Sequence, residues 1–197
     1  SRMVDGAFQT IDPTAVNELV LDLDERLWVA TASGLFWVNG TRLEPVIGVG
    51  DVPVRQILLD AQGGLWGRDD ARVFRRVGVR QFVDYDLDEG ASAIPTSLAA
   101  LADGRLVVGS ANQGLFIIHP DGQIEQFDRN QGLPANVVQA VISETTEPYR
   151  TFIATLGGLT QFVAQPLPLL APVCGDGLVA FAEACDDRGV RTARCDL

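Results

Sequence analysis

Short runs in which apolar and polar residues alternate follow one another along residues 1–163, with turns rich in Gly, Asp and Asn between them. Alternation with a period of two, together with many Val, Ile, Leu and aromatic residues, predicts β-strands joined by hairpin turns. No long stretch repeats its apolar residues with the period of about 3.6 that a helix needs, so little helix is expected. The pattern therefore predicts an all-β protein.

One pair of runs recurs four times at intervals of about forty residues. The copies read ERLWVATASGLF (25–36), GGLWGRDDARVF (63–74), GRLVVGSANQGLF (104–116) and YRTFIATLGGLT (149–160). A further run precedes each pair, and a looser run follows three of them. Four strands at this period are typical of β-propeller blades, which stack because one such sheet cannot cover its own apolar faces. We predict propeller blades near residues 15–50, 53–90, 94–130 and 133–163.

The sequence leaves three ways to complete a ring of blades. The last unit lacks a fourth strand, and residues 4–12 align with the strand that closes a unit, so we expect 4–12 to act as an outer clasp strand on the last blade. Four blades would then form a small closed ring. Alternatively, the chain is part of a larger propeller whose upstream blades are missing, or a homodimer completes the ring.

Composition limits the classes of partner. Hydrophobic residues make up 47% of the chain, enough for a sizeable core, which argues against disorder. Asp and Glu total 26 against 15 Lys and Arg, a net charge of -11, so no nucleic-acid partner is expected because binding to a polyanion needs basic patches. No apolar stretch is long enough to form a transmembrane helix, and no signal peptide is visible at Ser1.

The repeated phrases resemble the two-component regulator propeller repeat. GLPANVVQAV (132–141) resembles the opening of that repeat, and the phrases that begin at residues 25 and 104 resemble its core. The resemblance covers about residues 4–163, although the second copy departs from it at 68–70 and the fourth has Phe152 in place of Trp. It implies an extracytoplasmic module that senses or binds and is not a catalyst.

The chain ends in a different kind of sequence. Residues 164–173, AQPLPLLAPV, form a Pro-rich connector that we interpret as a linker. Residues 174–197 follow, and their phrases Cys-Gly-Asp-Gly and Cys-Asp-Asp resemble the myxobacterial cysteine-rich disulfide repeat. That resemblance implies an exported bacterial protein, which is secreted, periplasmic or on the cell surface.

All three cysteines lie in this tail: Cys174, Cys185 and Cys195. We expect one disulfide within the chain, with three pairings open, while the third thiol is left over or pairs outside the chain. Zinc is disfavoured because the cysteine spacing is not that of a zinc knuckle and no histidine is near. Four carboxylates between the cysteines are candidate calcium ligands: Asp176, Glu183, Asp186 and Asp187.

Candidate chemistry is sparse in the blades. His119, the only histidine, lies in the turn HPDG, where a surface residue is expected and a general base is the alternative. Acidic turns at 22–25, 69–70 and 84–89 are interpreted as solvated loops, with calcium binding as the alternative. No P-loop, HExxH or dinucleotide motif and no Ser-His-Asp arrangement occurs, so we expect no catalytic residue, no enzyme activity and no cofactor other than calcium.

Recognition is therefore the expected function. The first hypothesis is a non-catalytic exported propeller that binds a small molecule, a glycan or a protein through loops at one end of the ring. These loops are the first-to-second and third-to-fourth strand turns, or the second-to-third bends at 32–34, 69–72, 111–114 and 156–158. The second hypothesis is a propeller lyase or hydrolase with a polar site on the central axis, and the third is a purely structural surface scaffold. The sequence alone assigns no ligand-binding residue.

Overall fold

The structure is a computed structural model that describes residues 14–87, 92–144 and 149–163, together with the backbone of 2–4 and 7–9. The chain divides into two units, Ser1–Ala164 and Gln165–Leu197. The second unit lies outside the described residues. The predicted linker, the three cysteines and the four candidate calcium ligands of the tail therefore lie outside them too, and their roles remain predictions.

Four successive sheets, which we call blades 1 to 4, account for most of the described chain. Blade 1 contains β3 (Val16–Leu21), β4 (Leu27–Thr31), β5 (Gly34–Asn39) and β6 (Arg42–Pro45). Blade 2 contains β7 (Gln56–Leu59), β8 (Leu65–Arg68), β9 (Val73–Arg76) and β10 (Phe82–Tyr85). Blade 3 contains β11 (Pro95–Ala100), β12 (Leu106–Ser110), β13 (Leu115–Ile118) and β14 (Ile124–Phe127). Blade 4 contains β15 (Val138–Ser143), β16 (Arg150–Thr155) and β17 (Gly158–Val163).

Every blade is an antiparallel meander, in which strands adjacent in sequence are adjacent in the sheet. Blades 1 to 3 have four strands and blade 4 has three, as the repeat predicts. The only helical element that the structure describes is a short 3-10 helix at Arg129–Gln131, and the Asp128 side chain caps it by accepting the N–H of Asn130. The predicted all-β fold is confirmed.

The predicted clasp strand is not formed among the described strands. Within residues 4–12, β2 (Ala7–Gln9) pairs with β1 (Arg2–Val4) in a separate two-stranded sheet, and blade 4 keeps three strands. Val4 pairs with Ala7, so only the dipeptide Asp5-Gly6 connects the two strands, and Asp-Gly favours a two-residue hairpin turn. Pairing across so short a connection closes a far smaller loop than pairing with a strand more than a hundred residues away.

The hydrophobic core lies between blades and not within them. Trp28 and Leu35 of blade 1 pack with Ile57 and Phe74 of blade 2 in one cluster. Blade 2 packs in the same way on blade 3, and blade 3 on blade 4. No cluster of the described residues joins blade 4 to blade 1. The blades therefore form an open arc, and the closed four-blade ring is not observed.

Candidate functional site

The first strands of the blades, β3, β7, β11 and β15, lie side by side along the inner edge of the arc. Side chains of one strand hydrogen-bond to the backbone of the next. Leu98 donates its N–H to Gln56 Oε1 at 2.9 Å, and Val141 donates to Ser97 Oγ at 3.1 Å. Asn17 of β3 donates its side-chain N–H to the carbonyl of Val54, just before β7, at 2.7 Å. These contacts set the spacing of the inner strands and hence the width of the space that they enclose.

A cavity of about 590 Å³ opens on these inner strands. Its lining is mostly aliphatic and comes from blades 2, 3 and 4, with Leu58, Ala100, Leu101 and Ile142 among its residues. We call it the axial cavity. A concave site that is mainly apolar with few polar groups is the usual form of a small-molecule or peptide-binding pocket.

The one ionisable side chain in the lining of the axial cavity is Asp60, and its carboxylate is fully engaged. Oδ1 accepts the N–H groups of Gln62 and Gly64, at 3.0 and 2.7 Å. Oδ2 accepts the indole N–H of Trp66 and the guanidinium of Arg75, each at 3.0 Å. The side chain is only 1% exposed. This carboxylate therefore holds the turn and the tryptophan in place and is not poised to remove a proton from a ligand.

Asp22 has the same role in blade 1, so the acidic turn at 22–25 has a structural explanation that the sequence analysis missed. Its carboxylate accepts the indole N–H of Trp28 at 2.8 Å and the N–H groups of Arg26 and Asp24. Partial burial alone would raise the pKa of Asp22, but these hydrogen bonds outweigh it and the pKa is lowered. An Asp six residues before a Trp was the available sequence signal.

The second-to-third strand bends, candidates for a binding end, share one internal hydrogen-bond pattern. The residue that ends or follows the second strand accepts a backbone N–H of its own bend: Thr31 from Ser33, Asp69 from Ala71 and Arg72, Ser110 from Gln113, and Thr155 from Gly157. Asp69 thus takes the place of the Thr that the repeat usually carries. The departure of the second copy at this position preserves the bend.

The carboxylates around the bend of blade 2 are paired with arginines. Arg72 contacts Asp69 at 2.8 Å and Asp84 at 2.6 Å, and it also donates to the carbonyl of Val49. Asp70 forms a bidentate pair with Arg55. Within the ranges that the structure describes, no group of three or more His, Cys, Asp or Glu residues is arranged to hold a metal ion. Part of the acidic turn at 84–89 lies outside those ranges.

His119 lies at the end of β13 and does not line the axial cavity. Its Nε2 is 3.2 Å from Oε1 of Glu125 without hydrogen-bond alignment, and its side chain is 16% exposed. The position is the turn between third and fourth strands that the sequence predicted. It is therefore not part of a polar constellation on the axis.

A second, smaller groove lies between the outer strands of blades 1 and 2. It has a volume of about 240 Å³, and its residues include Arg26, Trp37 and Arg80. The guanidinium of Arg26 stacks over Trp28 and Trp37 at 5.7 and 5.1 Å from the ring centroids. Stacking of this kind covers the apolar surface of the two tryptophans with a charged side chain. The groove is smaller and more polar than the axial cavity, so the axial cavity is the stronger candidate for a binding site.

Solved structures with this arrangement of blades are numerous, whereas no protein family and no curated protein matched the sequence. One is the extracellular domain of a hybrid two-component system protein of B. thetaiotaomicron, with a TM-score of 0.61 and 18% identity over 76% of this chain and 20% of that chain. A second extracellular domain of such a system, from the same organism, has a TM-score of 0.60 and 22% identity over 74% of this chain and 21% of that one. A third is virginiamycin B lyase of Staphylococcus aureus, with a TM-score of 0.59 and 16% identity over 78% and 56%.

The fold is a β-propeller. At these identities the likeness establishes the fold alone. The chain spans about a fifth of the length of the two extracellular domains and about half of the lyase. The structural neighbours thus include extracellular domains of two-component systems and also an enzyme. In the part of the chain that the structure describes, no helix is long and apolar enough to cross a membrane.

Proposed function

We propose that the four blades form a non-catalytic, extracytoplasmic recognition module that binds an apolar small molecule, or an apolar side chain of a partner protein, in the axial cavity. The observation that carries this proposal is the aliphatic lining of a 590 Å³ concavity in which the one ionisable side chain is already engaged. Extracellular domains among the structural neighbours support the extracytoplasmic location. The resemblance to the two-component regulator propeller repeat supports a sensory role.

An environment-sensitive apolar dye, 8-anilinonaphthalene-1-sulfonate, tests the axial cavity. Ala102 lines the cavity and is itself exposed, so Ala102→Trp fills space there without changing the core. We expect this variant to weaken dye binding at least about tenfold, which corresponds to about 1.4 kcal/mol.

The matched control is Ala32→Trp, in an exposed bend that is not part of the cavity. It adds the same side chain and should leave dye affinity unchanged. Equal affinities of the two variants would show that the dye binds elsewhere, and the cavity proposal would fail.

The competing function is a propeller lyase, which the lyase among the structural neighbours favours. Catalysis of that kind needs a general base within reach of the bound substrate. The axial cavity offers Asp60, whose oxygens are occupied, and His119 lies outside its lining. We expect no turnover of quinupristin, the compound present in that lyase structure, in a mass-spectrometric assay. Substrate loss that depends on His119 would establish the lyase.

The tail supports export through its predicted disulfide. We expect thiol counting in denaturant to find one free thiol per chain before reduction and three after it, because three cysteines leave one unpaired. Three free thiols before reduction, in protein made in an oxidising compartment, would contradict the disulfide.

The tail is also the candidate calcium site, with Asp176, Glu183, Asp186 and Asp187 as ligands. If they bind calcium, adding calcium should raise the Tm, and replacing them with Asn and Gln should remove that rise.

A further inference from the structure

One position of the repeat is buried in three blades and exposed in the fourth. It is the apolar residue at or near the start of the third strand, on the face towards the following blade. Leu35, Val73 and Leu115 occupy it in blades 1 to 3 and are 2%, 0% and 2% exposed. Leu159 occupies it in blade 4 and is 73% exposed. The face of blade 4 that would receive a following blade is therefore apolar and open.

The converse holds at the other end of the arc. Ile57, Leu98 and Val141 lie at one position of the first strand, on the face towards the preceding blade, and are 1%, 3% and 7% exposed. Leu19 occupies that position in blade 1 and is 54% exposed. Leu21, two residues on and hence on the same face of β3, is 59% exposed. Blade 1 therefore has a counterpart of the blade 4 face that is open along its first strand, whereas Val29 of β4, which pairs with Leu19, is buried.

These two open faces are the two halves of one interface that the molecule forms three times internally. In each internal interface, the third-strand residue of one blade and the first-strand residue of the next belong to the same hydrophobic cluster: Leu35 with Ile57, Val73 with Leu98, and Leu115 with Val141. By the same geometry, Leu159 of one chain is matched by Leu19 of another. We propose that two copies of this chain associate head to tail, with blade 4 of each packed on blade 1 of the other.

The inner strands carry a polar contact that fits the same arrangement. Asn17 donates to the carbonyl of Val54, and Thr96 donates to the carbonyl of Val138, each at 2.7 Å and each across a blade boundary. The equivalent residue of blade 4 is Gln139, which is exposed and has a side-chain amide that can donate. Its acceptor in the proposed interface is the carbonyl of Val16 in the second copy. The neighbouring contact made by Gln56 and Ser97 is not repeated, because blade 4 has Ala140 there.

Two copies related by a twofold axis satisfy both faces of both chains. A head-to-tail interface produces a ring when its rotation closes, and a closed ring leaves no apolar face or growing end. Two arcs of four blades make eight, which is within the range of about four to eight blades that propellers adopt. This inference does not depend on the ligand proposed above, because it concerns the ends of the arc and not the axial cavity.

Light scattering after size exclusion tests the association with the full chain at micromolar concentration, in the presence of a reductant so that tail cysteines cannot link two chains. We expect the wild-type mass to be twice the 21.2 kDa of one chain. Leu19→Arg and Leu159→Arg should each give monomers, since each places a charge in both interfaces of the ring. Both residues are exposed in the single chain, so the far-ultraviolet circular dichroism of both variants should stay native.

The matched control is Val79→Arg, at a residue that is 81% exposed in blade 2 and lies on neither end face. This variant should remain a dimer. A 1:1 mixture of Leu19→Arg and Leu159→Arg should regain dimer, because each mixed pair keeps one wild-type interface. A monomeric wild-type chain would overturn the proposal. So would dimers that survive both substitutions, or dimers that are sensitive to only one of them, which would indicate a head-to-head contact.

Discussion

At the scale of single residues, aspartates at the first turn hold the tryptophans of the first two blades. Asp22 and Asp60 each come directly after a first strand, organise the turn there, and accept the indole N–H of the Trp six residues later. A tryptophan buried between blades needs a partner for its N–H, because an unsatisfied buried donor costs free energy. Local turn geometry and packing between blades are thus coupled through one carboxylate.

Asp60→Asn should destabilise the protein. The carboxylate accepts hydrogen bonds on both of its oxygens, whereas the amide of Asn has only one oxygen that can accept them. We expect a loss of about 2 kcal/mol in the free energy of unfolding, or about 4–8 °C in Tm. Urea unfolding followed by tryptophan fluorescence measures it. Asp121→Asn is the control, since that carboxylate accepts the N–H of Gln123 in an exposed turn and should cost little. Equal losses would mean that the buried network contributes nothing specific.

Glu18 is a second residue whose ionisation affects stability. Burial raises the pKa of Glu18 above its ordinary value of 4.5, although the N–H of Ile57 and the charge of Arg68 act in the opposite direction. An acid with a raised pKa in the folded state binds its proton more tightly there than in the unfolded chain. Stability therefore falls as the pH rises from 4.5 through the folded-state pKa, and ionised Glu18 is unfavourable at neutral pH.

Glu18→Gln should consequently stabilise the protein at pH 7. The equivalent residue of blade 2 is already Gln56, which both accepts the N–H of Leu98 and donates to its carbonyl. Because the side chain is only partly buried, we expect a gain of about 1–2 °C in Tm. The gain should vanish at about pH 3, where the carboxyl is protonated in both states. The control is Glu25→Gln, which removes the same charge from an exposed turn. A gain independent of pH would point to general charge repulsion.

At the scale of elements, the residues that a second strand tolerates depend on the side chains of the third strand paired with it. Gly67 in β8 lies against Phe74, and a Cβ built at Gly67 would be 2.4 Å from that ring. The same position holds Val29 in β4, Val108 in β12 and Ile153 in β16, where larger side chains are accommodated. The repeat therefore accepts larger residues here, and it is the placement of the Phe74 ring in blade 2 that requires Gly.

Gly67→Ala should cost about 1–3 kcal/mol through overpacking between blades 1 and 2. Replacing Phe74 by Leu removes the ring that causes the clash. We therefore expect Gly67→Ala to cost less in a Phe74→Leu background than in the wild type, by at least about 0.5 kcal/mol in a double-mutant cycle of urea unfolding. Strictly additive losses would show that the methyl group is tolerated by a different movement.

Strand positions could be predicted because alternation with a period of two is a property of a few consecutive residues. The order of strands within each blade could also be predicted from local sequence, because short turns such as Asp103-Gly104 join strands that pair antiparallel as neighbours. The role of Asp22 was not predictable from the acidic turn alone, because it depends on where the Trp28 indole points. The clasp is not formed among the described strands for a related reason: alignment recognises a similar strand but does not show that a nearer partner, β1, is available.

At the scale of the whole molecule, the arc behaves as a one-dimensional array of blades. Each hydrophobic cluster of the described residues joins two successive blades, so blades 2 and 3 are supported on both faces and blades 1 and 4 on one. In such arrays stability is approximately a sum of unit and nearest-neighbour terms, and the end units open first. The axial cavity belongs mainly to blades 2, 3 and 4, so its rigidity depends on what supports blade 4.

Native-state hydrogen exchange should resolve this gradient. In the monomeric Leu159→Arg variant we expect backbone amides of β16 and β4 to exchange at least about tenfold faster than those of β8 and β12, because local opening of an end blade exposes only one interface. In the dimeric wild-type protein, the difference in exchange rate between the end blades and the inner blades should be smaller, since both end blades then gain a second neighbour. Equal protection of all four blades in the monomeric variant would mean that the arc unfolds as one cooperative unit, and nearest-neighbour packing would then not be what limits its stability.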